Sequence, residues 1–166
     1  MIVRHRALFT VKRFLGSLLR NGGNKMVKAS ELRIGNLVTD EWFDSFKTFI
    51  KVESINDKGI NLEITDDGNW SELAQHFITP EYEFSQLRGI TLTEEILLKC
   101  GFDAIGTISK TEYFIIEVNG CDLEIDLDTQ SFRLNEFRFP FDNMLHSLQN
   151  LYFALTGQEL NVEPLL

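Results

Sequence analysis

The spacing of apolar residues changes along the chain, and each change marks a different kind of element. From Ser30 to about Ile64 the spacing is that of strands. Leu32, Ile34, Leu37 and Val38 flank the turn pair Gly35-Asn36, and the run from Phe46 to Ile55 is rich in β-branched and aromatic residues. Asn56-Asp57-Lys58-Gly59 reads as a turn, after which Ile60, Leu62 and Ile64 alternate with polar residues. Short strands joined by tight turns predict a small SH3-like β-barrel or a meander. Trp70, Leu73, Ala74 and Phe77 are spaced as a short helix that Pro80 ends, and residues 81–88 read as a linker or an edge strand.

Helical spacing resumes at Thr91. Thr91 and Glu94 stand at capping-box separation, Ile96, Leu97 and Cys100 form an apolar stripe, and Gly101 suits the left-handed position that ends a helix. A strand is predicted over Tyr113 to Val118, and Asn119-Gly120 is a type I′ hairpin signal. On the return strand Cys121, Leu123, Ile125 and Leu127 alternate with acids. Asp128-Thr129-Gln130 turns again, and Phe132 and Leu134 continue a third strand. The last element is a helix from about Asn143 to Thr156, with Met144, Leu145, Leu148, Leu151, Tyr152 and Leu155 on its apolar face. Asp142 or Asn143 is placed to cap it, and Gly157 to end it. The expected class is therefore α+β: an SH3-like barrel or meander in residues 26–88, then a helix–three-strand antiparallel sheet–helix layer in residues 89–166.

Composition changes this picture at one end. Residues 1–25 carry Arg4, Arg6, Lys12, Arg13, Arg20 and Lys25 and no acid, whereas the whole chain has 16 basic and 25 acidic residues and a net charge of -9. The remainder from Met26 onward thus holds 10 basic and 25 acidic residues, a net -15. Leu8, Val11, Leu15 and Leu18 fall near one face of a helix, so the leader fits a basic amphipathic segment for an anionic membrane surface. The alternative expectation is an over-long gene start, with the native protein beginning at Met26. No membrane contact is expected unless the leader is genuine.

Phrases in the body resemble a known group. Ser30-Glu-Leu-Arg-Ile-Gly-Asn-Leu-Val38, Leu92-Thr-Glu-Glu-Ile-Leu-Leu-Lys-Cys-Gly-Phe102 and His146-Ser-Leu-Gln-Asn-Leu-Tyr-Phe-Ala-Leu-Thr-Gly157 resemble a protein family of Bacteroidetes and of their phages or mobile elements. The resemblance covers most of residues 28–160. It implies an origin and an extent; the family carries no established activity to transfer, so no catalytic residue is implied.

Chemistry-bearing sets are few. Asp122, Glu124, Asp126 and Asp128 alternate with apolar residues, which places all four on one strand face at a spacing that suits Mg²⁺ or Ca²⁺. The same spacing is that of a solvated face that blunts edge pairing, and this is the expected reading. His5, His76 and His146 are isolated from one another and from metal-ligand spacing. His146, Gln149, Asn150 and Phe153 share the less apolar side of the last helix, as a recognition surface or as a partly covered flank. Trp42 and Phe43 lie between expected strands as a contact patch. Cys100 falls near a helix C-terminus, where the dipole disfavours a thiolate, and is expected to be a core thiol. No nucleophile elbow, Walker A loop or dinucleotide fingerprint occurs.

A body at -15 repels phosphate, so direct nucleic-acid binding is not expected. Two cysteines make no disulfide framework, and a reducing cytoplasm is the expected compartment. These features favour a non-enzymatic acidic interaction module with a protein partner and no cofactor, one version being an acidic decoy for a DNA-binding protein. Two alternatives stand beside it: a metal-dependent hydrolase built on the Asp122–Asp128 ladder, and a structural or assembly subunit.

Overall fold

The computed structural model describes residues 26–40, 49–55, 60–64, 87–107 and 110–166. The basic leader, the Trp42-Phe43 patch and the helix expected around Trp70 to Phe77 lie outside the described residues. The chain divides into two compact units, and among the described residues the break falls between Ile90 and Thr91.

The first unit is a three-stranded antiparallel sheet in sequence order: β1 (Leu37–Val38), β2 (Ile50–Ile55) and β3 (Ile60–Ile64). Residue Gly35 turns the chain into β1 at φ +90, a value that favours glycine, and its N–H donates to the Val52 carbonyl. Val52 pairs with Leu62, and a bulge follows between Val52 and Ser54. Arg88 forms antiparallel bridges with both Met26 and Thr39, which continues the hydrogen-bonded strip beyond β1. Val27, Leu32, Val38, Ile50, Val52, Ile60, Leu62 and Leu87 gather into one apolar core beneath it. Burial of these β-branched and Leu side chains, each worth roughly 1.5–3 kcal/mol, is what holds so short a sheet together.

The second unit is an α+β layer. Its order is α1 (Glu94–Lys99), then β4 (Asp103–Thr107), β5 (Lys110–Val118), β6 (Cys121–Asp126), β7 (Ser131–Leu134) and β8 (Phe137–Pro140), then α2 (Leu145–Thr156). The five strands form one antiparallel meander with neighbours in sequence order. This corrects the expected three strands. The two extra ones are edge strands whose sequences hide them: β4 carries Ala104 and Gly106 and shifts register against β5 after Ile105, and β8 ends on Pro140. A proline is tolerated only at such an edge.

Both helix ends on α1 have a residue-level cause. Its N-cap is Thr93, whose hydroxyl accepts from the Ile96 N–H, in place of the expected Thr91. Thr91 is instead occupied in a backbone bridge to Met144. At the other end Gly101 adopts φ +90. Its N–H donates to Leu98 and the Phe102 N–H to Leu97, the two bonds of a Schellman motif. Phe102 and Leu97, the positions where such an end carries its apolar pair, are both buried.

Helix α2 starts two residues later than expected. Its N-cap is Met144, and Asp142 instead accepts a 2.9 Å hydrogen bond from the Ser147 hydroxyl in the first turn. Gly157, at φ +73, ends the helix and donates to the Phe153 carbonyl.

The inward face of the sheet follows from the hairpin parity. Ala104, Phe114, Ile125, Phe132 and Phe139 run across all five strands in register. Phe132 stacks on Phe139 at 5.1 Å and meets Phe141 edge-on at 6.1 Å, a preferred aromatic geometry. Leu123, Ile125, Phe132, Leu145, Leu148 and Leu151 are among the most deeply buried side chains of this unit.

Candidate functional site

Alternation sends the other half of the β4–β8 residues to the opposite, outer face. One row crosses all five strands there in register: Asp103, Ile115, Glu124, Arg133 and Arg138. Ile105 pairs with Tyr113 on one side of it, and Glu117 with Asp122 on the other. The face is therefore polarised. Acids occupy the β4–β6 part, arginines the β7–β8 part, and the apolar side chains of Ile105, Tyr113 and Ile115 sit among the acids.

Within that face two of the carboxylates are already committed. Glu124 takes a charge-assisted contact from the Arg133 guanidinium, with a second hydrogen bond from Nε at 2.8 Å. That hydrogen bond raises the Arg133 pKa above its ordinary value, outweighing the opposing effect of burial. The same guanidinium lies 5.9 Å from the centre of the Tyr113 ring, in cation–π reach. Asp126 pairs with Arg138 at 3.7 Å and accepts the Thr129 N–H at 2.9 Å. Burial pulls the Asp126 pKa upward. Hydrogen bonds from Thr129, the charge of Arg138 and a hydrogen bond from the Asp128 backbone outweigh it, so the carboxyl lies below the usual range.

The acidic ladder of the sequence thus separates into three environments. Asp122 is exposed at the end of the face, Glu124 and Asp126 are held by arginines, and Asp128 lies beyond the last residue of β6 in the turn to β7. That turn takes Asp128 off the ladder, because strand alternation stops at Asp126. Among the described residues no group of three or more His, Cys, Asp or Glu is arranged to hold a metal ion.

The polar side of α2 is not a surface. His146, Gln149 and Asn150, expected there as contacts, are 2%, 2% and 4% exposed. Every residue from Leu145 to Leu151 is buried, so the first half of this helix is enclosed around its whole circumference. Phe153 remains at the surface, 37% exposed. Trp42 and Phe43, the other expected contact pair, lie outside the described residues.

Cys100 is buried at the end of α1, and burial pushes its thiol pKa up to about 11, which keeps it protonated and unreactive. Among the described residues, no helix is long and apolar enough to cross a membrane.

Asp103, Ile105, Tyr113, Ile115 and Glu117 were missed as a group by the sequence reading. The signal was present in the turn: counting back by twos from Val118 at the Asn119-Gly120 hairpin puts Phe114 and Ile116 inward and Tyr113, Ile115 and Glu117 outward. Comparison of the chain with family models, with curated proteins and with solved structures finds no match.

Proposed function

We propose that this chain is a non-enzymatic, acidic protein-interaction module that receives a basic segment of a partner protein on the β4–β6 part of its outer sheet face. The observation that carries this reading is one juxtaposition. Ile115 lies in register with Asp103 and next to Glu117, which pairs with Asp122, while Ile105, 39% exposed, extends the apolar strip on the other side of Asp103; those three acids are exposed. Apolar groups ringed by like charge suit a partner that brings both an apolar contact and positive charge. The body's charge of -15 speaks against nucleic acid as that partner.

Two further readings belong with this proposal. The short sheet of the first unit, extended by the Arg88 bridges, supports an SH3-like arrangement. The motif resemblance supports an origin in a phage or mobile element of Bacteroidetes. Partner capture from a cell lysate, comparing the wild type with the triple variant Asp103→Lys, Glu117→Lys, Asp122→Lys, tests the function. The proposal expects one specific partner that the triple variant loses. Equal capture by both proteins, with the variant folded by circular dichroism, overturns it. A second copy of the chain as the captured partner would move the reading to an assembly subunit.

A further inference from the structure

The β5–β6 turn does more than reverse the chain. Asn119 has φ +51 and Gly120 φ +74, the positive values that a two-residue type I′ turn requires at both central positions. From this turn the Asn119 side-chain amide donates a 2.8 Å hydrogen bond to the carbonyl of Leu155, thirty-six residues away in the last turn of α2. The last four carbonyls of a helix have no partner within it. Asn119 is therefore a C-terminal cap delivered from another element, and it latches the hairpin to the helix.

The same residue stands before a glycine, and both are exposed. Asn-Gly is the dipeptide in which the backbone nitrogen after the asparagine meets least steric hindrance to attack. We propose that Asn119-Gly120 is a deamidation site whose conversion releases the end of α2 from the β5–β6 turn.

The chemistry is balanced by solvent alone. The Gly120 nitrogen attacks Cγ of Asn119 and a C–N bond forms. The side-chain nitrogen leaves as ammonia, taking up the proton lost from the Gly120 amide, and a five-membered succinimide remains. Water then adds to one of its two carbonyls and opens the ring to aspartate or isoaspartate. One water is consumed, one ammonia is released and one carboxylate is created.

Two consequences follow from the geometry. The amide that donated to Leu155 becomes an acceptor-only carboxylate, so the hydrogen bond is replaced by repulsion between two oxygen acceptors. The new charge also stands at the negative end of the helix dipole, where an anion is disfavoured. The nitrogen that leaves is the one bonded to the Leu155 carbonyl, so the conversion must break that bond. The folded state therefore slows its own conversion, and the conversion cannot reverse.

Peptide mapping of the full chain, incubated at neutral pH with and without denaturing urea, reads the first half of the proposal. Conversion at Asn119 is expected to be several-fold slower in the folded protein; equal rates in both conditions overturn the latch. Hydrogen exchange on the variants Asn119→Gly and Asn119→Asp reads the second half. Glycine keeps the turn and removes only the bond, whereas aspartate adds the charge. Amides in the last turn of α2 should exchange about five-fold faster in Asn119→Gly, as loss of one such bond implies, and faster still in Asn119→Asp. Wild-type exchange in Asn119→Asp overturns it.

Discussion

Asp126 and Cys100 show how position sets the behaviour of a single group. The Asp126 carboxyl is held below the ordinary range in the folded chain. Its contribution to stability is therefore complete above the unfolded value, near pH 4, and is lost as pH falls through the depressed folded value. Asp126→Asn should accordingly flatten the acid side of the stability–pH curve, measured by denaturant unfolding between pH 6 and pH 3. An unchanged acid limb would contradict the pairing with Arg138 and Thr129. Cys100, with its pKa pushed up to about 11, should resist iodoacetamide at pH 8 while half-buried Cys121 reacts. Mass spectrometry of the alkylated peptides separates the two, and fast labelling of both would place Cys100 outside the core. Much of this scale was legible beforehand. Gly101 and Gly157 announced their helix ends by residue type alone, and Cys100 announced its burial by falling on an apolar stripe. The N-caps were less legible, since Thr91 and Thr93 are equally good caps and only the bridge from Thr91 to Met144 decides between them.

Among the elements, the hairpin was the clearest in the sequence and the edge strands β4 and β8 the least. Asn119-Gly120 fixed both the turn and the facing of Tyr113 to Val118 on β5 and of β6. The polar residues of α2 read as a recognition surface or a partly covered flank because periodicity measures contrast between faces, and a helix whose first half is buried all round, with His146, Ser147, Gln149 and Asn150 in its circumference, looks one-sided. Edge strands β4 and β8 escaped because each departs from the strand pattern, β4 through Ala104 and Gly106 and β8 through Pro140, and short, irregular or proline-bearing strands are what sheet edges favour. The element-level reading of the core makes a sharp contrast. Phe132→Ala, which removes a ring enclosed by Phe139 and Phe141, should cost about 3–5 kcal/mol in denaturant unfolding. Phe137→Ala, at a position 56% exposed on β8, should stay within about 0.5 kcal/mol of wild type. Similar losses for both would mean that the inward row does not form the core. For β6, calorimetric titration with Mg²⁺, Mn²⁺ and Ca²⁺ should show no saturable binding, because Glu124 and Asp126 face arginines. Saturable binding that Glu124→Ala abolishes would restore the hydrolase reading.

For the whole molecule, net charge was the most visible property and the least specific. The figure of -15 for residues 26–166 argues against phosphate-bearing partners but gives no location for a contact. The sheet supplies the location, because strand register places Asp103 and Glu117 beside Ile115, with Asp122 opposite Glu117, while the arginines pair with Glu124 and Asp126. That separation is a tertiary property of five strands and cannot be read from any one of them. A photo-crosslinking side chain at position 115, with a second at exposed Leu98 on α1 as the control, tests it in cells. A discrete protein adduct is expected from position 115 and none from position 98; identical adducts from both positions, or none from position 115, would rule out the β4–β6 face as the contact.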